Sequence, residues 1–259
     1  MPSVARINVT PLKGTRLEHP DAVELTSLGI PGNRRFHLVD DAGRLFSCGD
    51  LGALMRIAAR WDAASGSLRV ELPDGIVAVA GPGDLGDPHT TDFYGRPVPG
   101  RFVTGHVAEA VSAFAGRALR LVRADREGDG PDEHRLSLVS LASVADLGTR
   151  NGRPALDPGR FRMNLELDGC APYEEDTWEG RTVHVGEAVI RVLGPVPRCV
   201  ATTRDPATGD KDFDTVKAIT AYRPLMTDPR GVPFGMYAEV ERPGRVALGD
   251  PVKLVDGIT

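Results

Sequence analysis

The segment GPVPRCVATTRDPATG, residues 194–209, sets a thiol in an unusual local frame. Cys199 follows Arg198, and Pro195 and Pro197 restrict the backbone that leads to it. A neighbouring guanidinium favours thiolate over thiol, and the thiolate is the form that attacks electrophiles or binds soft metals. The same cysteine also reads as a small apolar residue of a strand, because free cysteines are commonly buried. The following TTRDPATGD has a Pro at the second turn position and a closing Gly, the signature of a β-turn, which fixes where the strand ends. Of Thr202 and Thr203, one reads as a strand former and the other as a source of a hydroxyl.

A second set is cationic: Lys13, Arg34, Arg35, Arg160, Arg162 and Arg198, all in otherwise polar stretches. An anionic ligand held in a cleft needs such donors, and Arg is the better bidentate partner for phosphate. Taken singly, each also reads as solvated surface. Arg34 and Arg35 come directly after a Gly-Asn turn, at the entry to a strand. Arg230, in TDPRGVPFG, is expected at solvent or at a substrate rim.

Other chemistries lack their residues. The six histidines (His19, His37, His89, His106, His134, His184) are widely spaced, with no HxH, HxxxH or CxxC pair, which argues against zinc. No GxGxxG, GxxxxGK[ST] or GxSxG sequence supports a dinucleotide fold, a P-loop or a nucleophile elbow. There is no iron–sulfur cysteine cluster and no flavin motif.

The elements that must position these residues are mostly strands. Many short segments are punctuated by 30 Gly and 21 Pro, a pattern that suggests a barrel or sandwich more than a helical bundle. VARINV (4–9), AVELT (22–26), FHLVD (36–40), RLFS, LMRIAARWD, SLRVELPDG, IVAVAG and ALRLVRAD read as strands. GDLGDPHTTDFYG reads as a loop. A helix is expected over 105–116, with Val107, Val111 and Phe114 on one face and Gly116 ending it. Residues 125–134, DREGDGPDEH, read as a polar surface loop and a candidate boundary between two halves, 1–123 and 124–259. LSLVSLASVADLGTR reads as a strand running into a helix with Ser140 as its N-cap. RFRMNLELDG, TVHVGEAVIRVLG and RCVATTRD read as strands, 214–223 as a short helix capped by Asp214, and 235–255 as closing β structure.

At 259 residues the chain can bury a sizeable core. Its 31 basic and 36 acidic residues give a net charge of −5, which argues against a general nucleic-acid or membrane-surface binder. No apolar run approaches the roughly 18 residues of a membrane span. The start, MPSVARINVTPLKG, has no secretory pattern. Three scattered cysteines, Cys48, Cys170 and Cys199, leave at least one thiol free and point to a reducing, cytoplasmic setting.

The stretch from Arg160 to Gly209 resembles the MOSC domain, named for the C-terminal region of molybdenum-cofactor sulfurases. The resemblance rests on Phe161-Arg162-Met163-Asn164, on Glu175-Asp176-Thr177-Trp178, and on Arg198-Cys199 followed by Thr202, Thr203, Asp205, Pro206, Thr208 and Gly209, in that order. GNRRFHLVDDAGRLFS resembles the arginine-bearing strand of an N-terminal half, and PGRVALGDPVKLV the closing strand. The likeness is to the branch that includes the mitochondrial amidoxime-reducing component and its bacterial relatives. Two positions depart from the pattern. Met163 stands where the family has Pro, and NVTPLKG stands where it has Pro-Val-Lys-Ser, so Lys13 substitutes or one cofactor contact is missing.

The resemblance implies a mainly β protein with a few helices (α+β), a β-barrel MOSC fold behind a β-rich N-terminal half. It implies a molybdenum cofactor (molybdenum with molybdopterin) ligated by Cys199. Lys13, Arg34, Arg35, Arg162, Asn164, Arg198, Thr202 and the Ser140–Ser143 helix start would supply donors to the pterin and phosphate. The implied chemistry is two-electron reduction of N-hydroxylated small molecules, with electrons delivered by separate donor proteins. A different class is a sulfur carrier with a persulfide on Cys199. A third, a cysteine hydrolase, needs His184 or His106 beside Cys199.

Overall fold

The computed structural model describes residues 1–223 and 231–255. The first part of the chain gives β1 (Ser3–Ile7), β2 (Ala22–Leu25), β3 (Phe36–Val39), β4 (Leu45–Phe46), β5 (Ala58–Asp62), β6 (Ser67–Glu71), β7 (Val77–Ala80), β8 (Leu85–Phe93), β9 (Arg96–Val103), α1 (His106–Ala115) and β10 (Arg120–Ala124). The rest gives β11 (Leu136–Ser140), α2 (Leu141–Arg150), β12 (Leu165–Asp168), β13 (Thr182–Val185), β14 (Ala188–Arg198), α3 (Thr215–Thr220), β15 (Val232–Arg242), β16 (Gly244–Ala247) and β17 (Val252–Leu254). Arg230 lies outside the described residues.

Seven strands form one sheet in the order β1-β12-β11-β15-β14-β13-β17. Its two ends approach each other. Val252 N–H donates to Pro2 O at 2.8 Å and Val4 N–H to Asp250 O at 2.9 Å, so the sheet curls into a nearly closed barrel. Strand alternation sends one apolar set inward from every strand: Val4 and Ile7, Leu165 and Leu167, Leu136 and Leu138, Met236 and Ala238, Ile190 and Val192, Val183 and Val185, and Val252. A five-stranded sheet, β4-β3-β10-β9-β8, and a three-stranded sheet, β5-β6-β7, make the second body. Its core joins Phe36, Leu38, Leu68, Val70, Val107, Val111 and Leu121.

Strand pairing crosses the expected boundary at 123/124. β1 pairs β12 within the barrel sheet, and β2 pairs β16 in a separate two-stranded sheet whose Leu25 and Val246 pack into the barrel core. The first 25 residues thus belong with the barrel, and 36–124 form the body inserted before its remaining strands. The connecting segment is not simply surface. Gly130 and Pro131 are buried, and a Cβ at Gly130 would overlap the Arg34 carbonyl oxygen.

Caps behave as their residue types require. Ser140 Oγ accepts from Ala142 N–H, Asp214 Oδ1 accepts from Lys217 N–H, and Gly116 ends α1 with φ 66°. Four readings change. GDLGDPHTTDFYG is mostly strand β8, not loop; it lies at the sheet edge, where the missing N–H of Pro88 is tolerated beside a register shift. RCVATTRD leaves the sheet at Arg198, and Val200–Thr203 turn as a 3-10 helix. Within LMRIAARWD and RFRMNLELDG, Gly52–Arg56 and Pro158–Phe161 are likewise 3-10 turns ahead of their strands. No helix among the described residues is long and apolar enough to cross a membrane.

Candidate functional site

A cavity of about 690 Å³ opens between the barrel and the inserted body. The barrel supplies Arg160 to Met163, Val196 to Thr202 and Tyr237. The inserted body and the loops ahead of it supply Lys13, Gly14, Arg34, Ser47 to Asp50 and Phe93 to Arg96, while Asp132 and Glu133 come from the connection between the two.

Cys199 reaches this cavity because its strand cannot continue. Pro195 and Pro197 have no N–H to give, and the β14–β15 register slips at both. After Arg198 the chain turns, with Cys199 as the first residue of the turn and Thr202 donating to its carbonyl through both N–H (3.2 Å) and Oγ1 (3.0 Å). The thiol is exposed to the cavity. Enclosure by the surrounding walls pushes its ionisation up, against the Ala201 N–H and Arg198, which favour the thiolate. Adjacency to Arg198 therefore does less than the sequence suggests. The Arg198 guanidinium is spent on the barrel, donating to Phe234 O (2.8 Å), Phe161 O (2.9 Å) and Met163 Sδ (2.6 Å).

Six cationic side chains line the cavity, Lys13, Arg34, Arg96, Arg160, Arg162 and Arg198, against three carboxylates, Asp50, Asp132 and Glu133. The cations are held mainly by backbone carbonyls, which orient them without cancelling their charge. Arg34 Nη2 donates to Arg162 O (2.7 Å) and Arg162 Nη2 to Thr15 O (2.6 Å). Arg96 Nη2 donates to Asp129 O (2.8 Å) and Pro131 O (2.6 Å), and Lys13 Nζ to Gly130 O (3.1 Å). Two carboxylates pair directly with members of the set. Asp132 pairs with Lys13 at 2.7 Å, and Asp212 behind the wall pairs with Arg160 at 3.2 Å.

The field is visible in the ionisation of the buried groups. Burial pushes the Lys13 ammonium down, Asp132 opposes this and Arg34 adds to it. Burial lowers Arg162 as well, and Arg198 to about 10. Burial alone would raise Asp132; Lys13 and Arg34 outweigh it and hold the carboxyl below its usual range. Arg96 Nε and Arg160 Nε have no hydrogen-bond partner. A surplus of buried and half-buried cations, two of them with an unused N–H, suits an anionic ligand, and an accessible cysteine beside them suits a soft metal carried by that ligand. The donor set thus fits a phosphate-bearing cofactor with a thiophilic metal.

Strain gathers at the same place. Among the described residues four non-glycine positions have positive φ, and three of them, Arg34 (53°), Tyr94 (57°) and Arg162 (55°), line the cavity.

Of the residues named from sequence, Cys199, Lys13, Arg34, Arg162, Arg198 and Thr202 meet here. Others do not. Arg35 pairs with Glu127 at 2.6 Å, outside the lining. Asn164 sits in a buried network, Nδ2 donating to Asn8 O and Oδ1 accepting from Ser137 Oγ. The α2 start is occupied from within: Glu175 Oε1 accepts from Ser140 N–H (3.1 Å) and Ser143 Oγ (2.8 Å), so the anion held by those donors is the chain's own carboxylate. Among the described residues no histidine lines the cavity, and His106 pairs instead with Glu109 on α1. The sequence reading missed Cys48, buried at the cavity wall, together with Tyr94 and Asp132. Tyr94 alone had a visible signal, as the first residue of a Tyr-Gly connection between two runs of alternating polarity.

Residues 125–253 match the family model of the MOSC domain. The C-terminal half of the chain is a MOSC domain. Across its length the chain is similar to mitochondrial amidoxime reducing component 2 of Bos taurus, 27% identical over 281 aligned residues that cover 96% of this chain and 82% of that protein. The Rattus norvegicus protein of the same name is 31% identical over 198 residues, covering 65% and 57%. Molybdenum cofactor sulfurase of Bos taurus is 29% identical over 109 residues, covering 40% and 12%. The MOSC match contains Cys199 and Arg162 but not Lys13, Arg34, Cys48 or Tyr94, so 11 of the 26 described lining residues come from outside the matched domain.

Proposed function

We propose that this MOSC protein holds a molybdenum cofactor through Cys199 and reduces N-hydroxylated small molecules. The observation that carries the reading is the exposed thiol of Cys199 beside a surplus of cations in one cavity, in a chain similar over most of its length to proteins named as amidoxime-reducing components. When bound, the cofactor supplies the two-electron redox step.

The chain's own residues do the rest. Cys199 offers the soft donor, and metal binding removes its proton, so the raised thiol ionisation makes loading easier as pH rises. Arg34 and Arg162, each fixed by a carbonyl, hold the anionic end with planar N–H groups. Asp132 keeps Lys13 charged at the inner wall. The cavity volume admits a small molecule beside the cofactor, and electrons arrive from separate donor proteins.

The test is elemental analysis of protein made in a host that synthesises the cofactor. Molybdenum and pterin are expected in near-equal amounts. Cys199→Ala should lose most of the amidoxime reduction driven by a chemical reductant and keep its fold, while Cys170→Ser, whose thiol lies away from the cavity, should match the parent. Parental turnover by Cys199→Ala would remove the ligand assignment. Cyanide-labile sulfur without molybdenum would replace the reductase with a sulfur carrier.

A further inference from the structure

Tyr94 occupies a position that its own backbone disfavours. β8 ends at Phe93 and β9 begins at Arg96, so Tyr94 and Gly95 are a two-residue hairpin connection, with φ of 57° and 93°. Such turns favour Asn-Gly, and a bulky residue with positive φ is an outlier. The turn does not need the ring, because Asp92 secures it by accepting from Gly95 N–H at 3.1 Å. The core does not need it either, since Tyr94 is 64% exposed.

What the ring does have is a place at the cavity. Among the described residues the exposed large apolar side chains are few, and two of them line this opening: Tyr94 from the inserted body and Val200, 54% exposed, from the barrel next to Cys199. An otherwise cationic cavity thus has an exposed apolar side chain from each of the two bodies in its lining, one of them next to Cys199 in sequence.

We propose that Tyr94 and Val200 form a slot for the flat apolar part of the substrate, so that the site selects aryl over small alkyl N-hydroxylated compounds. This rests on the reductase reading for the chemistry but not for the binding. The balanced reaction is RC(NH2)=NOH + 2 e− + 2 H+ giving RC(NH2)=NH and water. The N–O bond breaks, and two equivalents of a reduced viologen supply the electrons. A ring stacked on Tyr94 gains aromatic contact beyond the area it buries, and a methyl group does not.

The experiment compares benzamidoxime with acetamidoxime on the cofactor-loaded protein, and measures benzamidine and acetamidine binding by calorimetry. Tyr94→Asn suits the turn better than the native residue, so folding is preserved. It should lower the aryl-to-alkyl ratio of kcat/KM by about tenfold, chiefly through KM. Tyr94→Phe should retain the ratio. The benzamidine-to-acetamidine affinity ratio should fall in parallel. An unchanged ratio in Tyr94→Asn, or equal loss on both substrates, overturns the slot. If the parent protein reduces neither compound, the reductase reading fails, and the calorimetric preference still decides the slot.

Discussion

The two walls of the cavity are built in opposite ways. The barrel wall is contiguous: Arg160 to Met163 and Val196 to Thr202 are short runs at the ends of paired strands, locked by Arg198 onto Phe161 and Phe234 carbonyls. The facing wall gathers Lys13, Arg34, Ser47 to Asp50 and Phe93 to Arg96 from separate loops, each contributing one to four residues. Its geometry is set by contacts to the other body. Arg34 binds the Arg162 carbonyl, Arg204 Nη2 binds the Gly49 carbonyl at 3.0 Å, and Lys13 and Arg96 bind carbonyls of 129–131. One wall can be specified by local sequence, the other only by docking.

The docking can be broken at a point of backbone contact. A Cβ at Gly52 would overlap the Gly209 carbonyl oxygen and sit 2.5 Å from Arg204 Nη1. The carbonyl is backbone and cannot move aside as a flexible side chain could. Gly52→Ala should therefore destabilise the protein by about 3 kcal/mol or more, with loss of cofactor. Gly95→Ala, whose Cβ would meet nothing within 4 Å, should lose only the roughly 1–2 kcal/mol of a left-handed alanine. Chemical denaturation of both variants measures the contrast, and similar midpoints would mean that the walls are not pressed together at Gly52.

A smaller effect separates the two kinds of arginine. Arg162 lines the cavity and Arg35 does not. Loss of a charge-assisted bond of about 1.5–3 kcal/mol should weaken cofactor retention roughly ten- to a hundredfold in Arg162→Ala, and less in Arg162→Lys, which keeps the charge without the fork. Arg35→Ala, which breaks only the pairing with Glu127, should retain the cofactor as the parent does. Molybdenum content after dialysis reads the order, and equal retention in all four proteins would assign the anion to backbone amides and Lys13.

What could be read in advance divides along the same line. The mainly β fold, the α2 cap at Ser140 and the MOSC motifs are all local patterns, and the structure carries them, whereas RCVATTRD, which reads as a strand, turns after Arg198. Arg34 and Arg162 were visible as cations, but their left-handed backbones were not, because nothing in GNRRF or RFRMN marks a positive φ for an arginine. Cys48 was unreadable for a different reason. FSCGD places it on a wall only when Gly14 packs against the Cys48 backbone, an approach so close that a Cβ at Gly14 would lie 2.8 Å from Cys48 N. Ser140 and Ser143 misled because a free helix start invites an anion, and the sequence distance to Glu175 hides the one already there.

The gentlest probe of the difference is acid. His37 on β3 is fully buried in the inserted body, with Nε2 at 2.8 Å from Thr91 Oγ1 and Nδ1 without a partner. Burial, followed by the charges of Lys13 and His89, lowers it to about 3 from an ordinary value of 6.5. A base lowered in the folded state stays neutral there while the unfolded chain takes up a proton. Its contribution is therefore complete above pH 6.5 and shrinks as pH falls toward 3, by at most about 1.4 kcal/mol per pH unit. Between pH 6.5 and 5.5 the loss is under about 1 kcal/mol, and it falls on the inserted body. Hydrogen exchange at pH 5 should accelerate in β3 and β10 before β14 and β15. His37→Gln, which removes the proton uptake, should flatten the acid limb of the stability curve between pH 6.5 and 5. Equal acceleration in all four strands would mean that the two walls open as one cooperative unit, despite their different construction.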